Sequence, residues 1–248
     1  MKLKVSIIGL GYLGATTAVA FAKLGHDVIG IDSDANKLAT LKSGRVPFYE
    51  PGLDEALSEA LAQGNLKFQT SQDSNSGSAD IHLLCVGTPQ SKTGLGADTS
   101  YLFSAVAELA PYLSEDSVVA GKSTVPVGTA KALRAHLSNL VDFEPHLAWN
   151  PEFLREGTAL QDTLMPDRIV IGTDEMWSEK ILRTLYEPIT DVGVPLLQMD
   201  IPTAELVKVA ANSFLATKIS FINAMAEVAE VSGADAVKLA EAKIGRAS

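Results

Sequence analysis

Apolar residues along this chain keep two different rhythms. Short runs such as Val5-Ser6-Ile7-Ile8, Val28-Ile29-Gly30-Ile31 and Ile81-His82-Leu83-Leu84-Cys85-Val86 have the length and branched side chains of buried strands. Between such runs, apolar positions recur every three or four residues, the period of a helix face. The pattern predicts strands from Lys4 to Ile8, Asp27 to Ile31, Ile81 to Val86, Ser117 to Ala120, His146 to Trp149, Arg168 to Ile171 and Pro195 to Leu197. Helices are predicted from Leu13 to Leu24, Ala35 to Lys42, Leu53 to Gln63, Ser100 to Leu113, Thr129 to Leu140 and Glu175 to Tyr186. A loop of turn formers, Gly44 to Gly52, precedes the third helix. Regular alternation of this kind means an α/β fold, doubly wound, with a mostly parallel sheet covered on both faces.

The last part changes character. From Pro202 to Val231 no strong breaker interrupts the helical period, and Leu206, Val209, Ala210, Phe214, Ile219, Ile222, Met225, Ala226 and Ala229 fall on it. One helix of roughly 30 residues is expected, followed by a small helical segment. Domains are therefore expected at 1–200 and 201–248. Phe214, Phe221, Ile222 and Met225 are too many for a small cap to hide, so a second copy of the chain across this helix is one reading; an interdomain helix is the other. The run from Ser71 to Ser78 reads as a polar surface connection or a poor helix.

Composition narrows the function. The 248 residues are 46% hydrophobic and 20% charged, as in a globular protein. A net charge of −10 argues against nucleic acid and anionic membranes as partners. No run of 18 apolar residues suggests a membrane span, and no signal peptide is read at the start. With one cysteine no internal disulfide can form, which suits a reducing cytoplasm. No metal is expected.

Gly9-Leu10-Gly11-Tyr12-Leu13-Gly14 stands between the first strand and the first helix, and Asp32 closes the second strand. This is the arrangement of a Rossmann-type dinucleotide turn. Gly9 permits the tight turn, Gly11 lets backbone approach a pyrophosphate, and Gly14 lets helix and strands pack closely. The pyrophosphate would sit at the positive end of the helix. Asp32 can accept hydrogen bonds from ribose hydroxyls and would repel a 2′-phosphate, favouring NAD over NADP. The plain alternative is a tight βα turn with no ligand.

Three later segments follow strands and so face the same crevice. Val86-Gly87-Thr88-Pro89 places Thr88 to touch a dinucleotide, and Cys85 before it reads as a small buried hydrophobe rather than a nucleophile. Lys122-Ser123-Thr124-Val125-Pro126 offers two hydroxyls, or simply a turn before a helix. Asn150-Pro151-Glu152-Phe153-Leu154-Arg155-Glu156-Gly157 crowds two carboxylates and a cation into a turn, which an ordinary surface loop would also do. Further on, Lys208 and Asn212 share one face of the long helix. They read as donors to a bound oxygen, or as a snorkelling lysine beside an amide.

Together with Phe48-Tyr49-Glu50-Pro51-Gly52-Leu53, Pro166-Asp167-Arg168 and Glu205-Leu206-Val207-Lys208-Val209-Ala210-Ala211-Asn212, these segments run in one order over essentially the whole chain. In that order the chain resembles the UDP-glucose/GDP-mannose dehydrogenases, and UDP-glucose dehydrogenases most. The resemblance implies oxidation of the C6 alcohol of UDP-glucose to a carboxylate in two hydride transfers to NAD. A cysteine captures the aldehyde, and water hydrolyses the resulting thioester. It implies NAD contacts from Gly9, Gly11, Tyr12, Leu13, Gly14, Asp32, Lys37, Thr88, Ser123 and Glu156. It implies Glu152 as general acid/base, Lys208 and Asn212 as the pair that steadies developing oxyanion charge, and Thr124 as the residue that orients water. Glu152, Phe153, Leu154, Arg155, Lys208 and Asn212 would hold the UDP-sugar. A cytoplasmic homodimer paired through the long helix, serving nucleotide-sugar metabolism and polysaccharide biosynthesis, is implied as well.

One departure matters. The family's nucleophile lies in a Gly-Gly-x-Cys segment after the long helix, and these 248 residues, ending Gly245-Arg246-Ala247-Ser248, do not contain it or the family's second Rossmann-like domain. The expectation is NAD binding without full turnover. Other nucleotide-sugar dehydrogenases, acting on GDP-mannose or UDP-N-acetylmannosamine, remain open. So do hydroxyacid and 6-phosphogluconate dehydrogenases, which share a Lys-x-x-x-Asn pair on a long helix.

Overall fold

The computed structural model describes residues 1–92, 94 and 96–243. It divides into two compact units, Met1–Leu206 and Val207–Ser248. Residues 244–248, where the sequence reading noted the missing cysteine segment and placed the end of the second domain, lie outside the described residues.

The first unit holds one eight-stranded sheet. Its strands are β1 (Lys4–Ile8), β2 (Asp27–Ile31), β3 (Leu66–Gln69), β4 (Ile81–Leu84), β5 (Val118–Gly121), β6 (His146–Trp149), β7 (Ile169–Gly172) and β8 (Leu196–Met199). Their order is β3-β2-β1-β4-β5-β6-β7-β8, and every pair is parallel except β6 with β7, which meet only at Trp149 and Gly172. Strand order reverses direction between β1 and β4, so a crevice opens at the carboxyl ends of these two strands.

Side chains alternate across the sheet, and this builds two cores. Val5, Ile7, Ile81, Leu83, Val118 and Ala120 pack on one face with Phe21, Leu38, Leu57, Leu182 and Leu185. Ile8, Ile31, Leu84, Val119, Leu147 and Trp149 pack on the other with Leu102, Val106, Leu133 and Leu137. The covering helices are α1 (Tyr12–Lys23), α2 (Ala35–Lys42), α3 (Leu53–Gln63), α4 (Ser74–Gly77), α5 (Ser100–Leu109), α6 (Thr129–Ser138), α7 (Ala159–Leu164) and α8 (Met176–Thr190). The buried Glu205 carboxylate accepts the N–H groups of Gly128 and Ala130, both at 2.7 Å, and so caps α6.

The second unit contains most of α9 (Ile201–Ser232), at 32 residues the long helix foreseen in the sequence, and α10 (Ala236–Lys243). Among the described residues no helix is long and apolar enough to cross a membrane.

Several elements differ from the sequence reading. Strand β3 was not foreseen: only Leu66 and Phe68 face inward, while Lys67 is exposed at the sheet edge. Helix α7 was not foreseen either, because six residues carry too little period. Of the two readings of Ser71 to Ser78, the short helix is the one found: Ser74–Gly77 is helical because Asp73 caps it reciprocally with Ser76. Helix α5 ends at Leu109 and continues as a 3-10 turn, Ala110–Tyr112, where Pro111 cannot supply the next N–H. Helix α8 runs four residues beyond Tyr186, through Pro188, and the chain turns at Gly193 with φ +97.

Candidate functional site

The glycine turn has the geometry its sequence demands. Gly9 adopts φ +91, and its N–H donates to the Ile31 carbonyl at 2.8 Å, tying the turn to β2. A Cβ at Gly9 would press on Val86, and one at Gly14 would overlap the Gly9 carbonyl oxygen. Gly11 is different: nothing lies within 4 Å of where its Cβ would be. It is the N-cap of α1, and no side chain caps the helix there. The leading N–H groups of a 12-residue helix are thus left for an anion that backbone can approach.

Asp32 follows β2. Its Oδ2 accepts from Leu10 N at 2.8 Å and from Lys37 Nζ at 2.6 Å, and its Oδ1 accepts from Asp34 N at 3.0 Å. Burial opposes ionisation, but the Lys37 ammonium and the two backbone N–H groups outweigh it and hold the carboxyl below its usual range. Lys37 itself is placed by α2, whose N-terminus Asp34 caps through Asn36 N and Lys37 N. Asp32 is thereby a fixed anion whose Oδ1 still has a lone pair directed elsewhere than Asp34.

The ends of β4 and β5 are laced together. Thr88 Oγ1 donates to the Thr124 carbonyl at 2.7 Å, and Ser123 Oγ donates to the Val86 carbonyl at 2.6 Å. Cys85 is buried, and burial pushes its thiol up to about 12. That agrees with its reading as a small core residue.

The turn after β6 is anchored from below. The Lys122 ammonium, buried, donates to Asn150 Oδ1 at 2.9 Å and to the Tyr186 hydroxyl oxygen at 3.2 Å. Tyr186 donates its own proton to Asn150 Oδ1 at 2.6 Å. Above this network Glu152 Oε2 accepts from Leu154 N at 2.5 Å. Arg168 stacks on the Phe153 ring at 4.4 Å. Arg155 forms a bidentate pair with Asp162 at 2.6 and 3.0 Å.

The glycine turn, Asp32, the ends of β4 and β5 and Glu152 meet in one cavity of about 820 Å³. Gly9, Gly11, Tyr12, Leu13, Asp32, Lys37, Thr88, Ser123, Thr124 and Glu152 all line it. Its size suits a dinucleotide-class ligand. A second cavity of about 250 Å³ lies under the Glu152 turn, with Leu13, Phe153, Leu154, Arg155, Lys122 and Tyr186 in its wall. Glu152 belongs to both. Gly14 supports the turn from behind, and Glu156 is exposed and lines neither. Lys208 and Asn212 lie one turn apart on α9, in the second unit. Among the described residues no group of three or more His, Cys, Asp or Glu side chains is placed to hold a metal.

The sequence reading assigned no role to Glu50, Asn150, Tyr186 or Asp162. The one available signal was polar residues inside apolar surroundings. Tyr186, on the buried face of α8, had no such mark, because a tyrosine fits any core.

Comparison with known proteins agrees with this geometry. Residues 3–190 match the description "UDP-glucose/GDP-mannose dehydrogenase family, NAD binding domain", and residues 202–245 match that family's central domain. The chain is 43% identical over 237 residues to UDP-glucose 6-dehydrogenase YwqF of Bacillus subtilis, covering 94% of this chain and 52% of that protein. It is 40% identical over 239 residues to UDP-glucose 6-dehydrogenase of Rickettsia typhi, covering 96% and 55%. Among solved structures, a UDP-glucose dehydrogenase from Pyrobaculum islandicum superposes with a TM-score of 0.90 at 38% identity, over 98% of this chain and 56% of that one. A GDP-mannose dehydrogenase from Pseudomonas aeruginosa also gives 0.90, at 29% identity, over 96% and 56%. The chain spans about half the length of the curated relatives it matches. With both of the matched domains in order along its length, this chain belongs to the UDP-glucose/GDP-mannose dehydrogenase family.

Proposed function

We propose that this chain binds NAD in the larger cavity and serves the oxidation of the C6 alcohol of UDP-glucose to UDP-glucuronate. The observation that carries this reading is the meeting of the glycine turn, Asp32, Thr88, Ser123, Thr124 and Glu152 around one cavity. When bound, NAD supplies the hydride acceptor. Gly11 and the head of α1 hold its pyrophosphate, and Asp32 takes the adenosine ribose hydroxyls and disfavours a 2′-phosphate. Glu152, fixed by Leu154 N, accepts the proton of the alcohol oxygen. Thr124 orients water. Lys208 and Asn212, a cation and an amide one helical turn apart, stabilise negative charge that grows on the substrate oxygen. Glu156 serves the cofactor, and the turn from Phe153 to Arg155 serves the nucleotide-sugar. UDP-glucose is preferred over GDP-mannose as substrate because the relatives of higher identity are UDP-glucose dehydrogenases.

Thioester chemistry needs an accessible thiolate. Cys85 is the sole cysteine of these 248 residues and is buried, so the polypeptide as given is expected to bind NAD without full turnover. We further propose a cytoplasmic homodimer: Phe214, Phe221 and Val228, seven residues apart and exposed along α9, form an apolar stripe suited to its own copy. Sedimentation that finds only monomer at high concentration contradicts the dimer. The test of the function is NADH formation with UDP-glucose, on this chain and on any longer version of its gene. The longer version is expected to form two NADH per UDP-glucose, and this chain is expected not to complete that two-NADH oxidation to UDP-glucuronate. A longer version that oxidises a hydroxyacid but no nucleotide-sugar overturns the reading.

A further inference from the structure

We infer that Glu50 is a positioning residue: it latches the turn carrying Glu152 and Glu156 to the head of α1, through Tyr12. This rests on the dinucleotide reading above.

Glu50 is only 6% exposed although it sits in an irregular loop. A buried carboxylate is costly unless donors satisfy it. Two donors do so, from segments far away in sequence. The Tyr12 hydroxyl donates to Glu50 Oε2. Gly157 N donates to the same oxygen at 3.0 Å and reaches the Tyr12 hydroxyl oxygen at 3.2 Å. Burial and the bond to Glu50 push the Tyr12 phenol up to about 12, so it remains a donor.

Each partner is itself fixed. The Tyr12 ring packs on Phe48 with centroids 4.9 Å apart, and Leu53 N donates to the Glu50 carbonyl at 3.2 Å. Gly157 adopts φ +88, a conformation that side chains rarely take. Tyr12 lines the larger cavity immediately after Gly11. A nucleotide at the glycine turn and the C-terminal end of the carboxylate turn are therefore one side chain apart. Packing alone would be served by leucine at position 50; an acceptor there receives both the Tyr12 O–H and the Gly157 N–H and holds the two donors together. The latch keeps the turn's carboxylates in one geometry beside the cofactor, and nucleotide that orders Tyr12 orders the turn.

Arg155 lies in that turn with its side chain 74% exposed, so tryptic cleavage after it reports opening of the latch. Without nucleotide, Tyr12→Phe and Glu50→Leu are expected to speed this cleavage about tenfold or more, relative to the other tryptic sites. Glu50→Gln, which keeps one acceptor oxygen, is expected to stay within about threefold of wild type. Saturating NAD is expected to slow the cleavage in wild type and much less in Tyr12→Phe. Thermal unfolding of each variant identifies any that fails to fold, and Tyr12→Phe keeps the ring on Phe48. Unchanged cleavage in both Tyr12→Phe and Glu50→Leu, with NAD binding intact, overturns the latch. A wild-type chain that binds no NAD, while cleavage still responds to both substitutions, overturns the dinucleotide reading and the coupling but leaves the latch standing.

Discussion

The Lys122 ammonium donates to Asn150 Oδ1 at 2.9 Å, tying the end of β5 to the first residue of the Glu152 turn. Asn150 then donates from its amide to the Val170 carbonyl at 2.8 Å, which extends the tie to β7. One buried cation thus joins three strands through contacts that no local sequence pattern marks.

Lys122→Met should therefore keep the fold and weaken it. The substitution leaves Asn150 and Tyr186 short of a charged partner, at a cost of about 1–3 kcal/mol. Urea unfolding of both proteins measures it. Equal midpoints would show that the network contributes nothing to stability.

His82 sets an acid limit. It is fully buried on β4, and burial, with the nearby Lys4 charge, pushes its imidazole down to about 3. In the unfolded chain it titrates near 6.5. Its contribution to stability is therefore complete above about 6.5 and is lost as pH falls from there toward 3, because only the unfolded chain takes up the proton. The expected loss is about tenfold in the folding constant per pH unit in that window. Between pH 7 and 4.5, wild type should lose about a hundredfold more than His82→Leu. Parallel pH profiles for the two proteins would contradict this.

Cys85 should be silent in the native state. With its thiol near 12, about one molecule in ten thousand carries the thiolate at pH 8. A thiol-reactive disulfide reagent should label the chain only after unfolding. Rapid stoichiometric labelling of the native chain would reopen Cys85 as a nucleophile.

The doubly wound sheet was legible because β1, β2 and β4 are buried on both faces and read as short, mostly apolar runs broken by single polar residues such as Ser6 and His82. The glycine turn was legible because each glycine answers a separate steric demand. Strand β3 was not, since an edge strand with two inward residues barely differs from a loop. The buried polar contacts were not legible either. Lys122 and Asn150 are 28 positions apart, and Glu50 and Gly157 are 107 apart. Nothing local marks such pairs; only the topology that brings strand ends together creates them.

The central claim is a dinucleotide site whose anion, Asp32, selects the cofactor. Calorimetric titration of the 248-residue chain with NAD and with NADP tests it most directly. The account predicts NAD binding at least about tenfold tighter than NADP, about 1.4 kcal/mol, with Asp32→Ala narrowing the gap. Equal or tighter binding of NADP by the wild-type chain would contradict it.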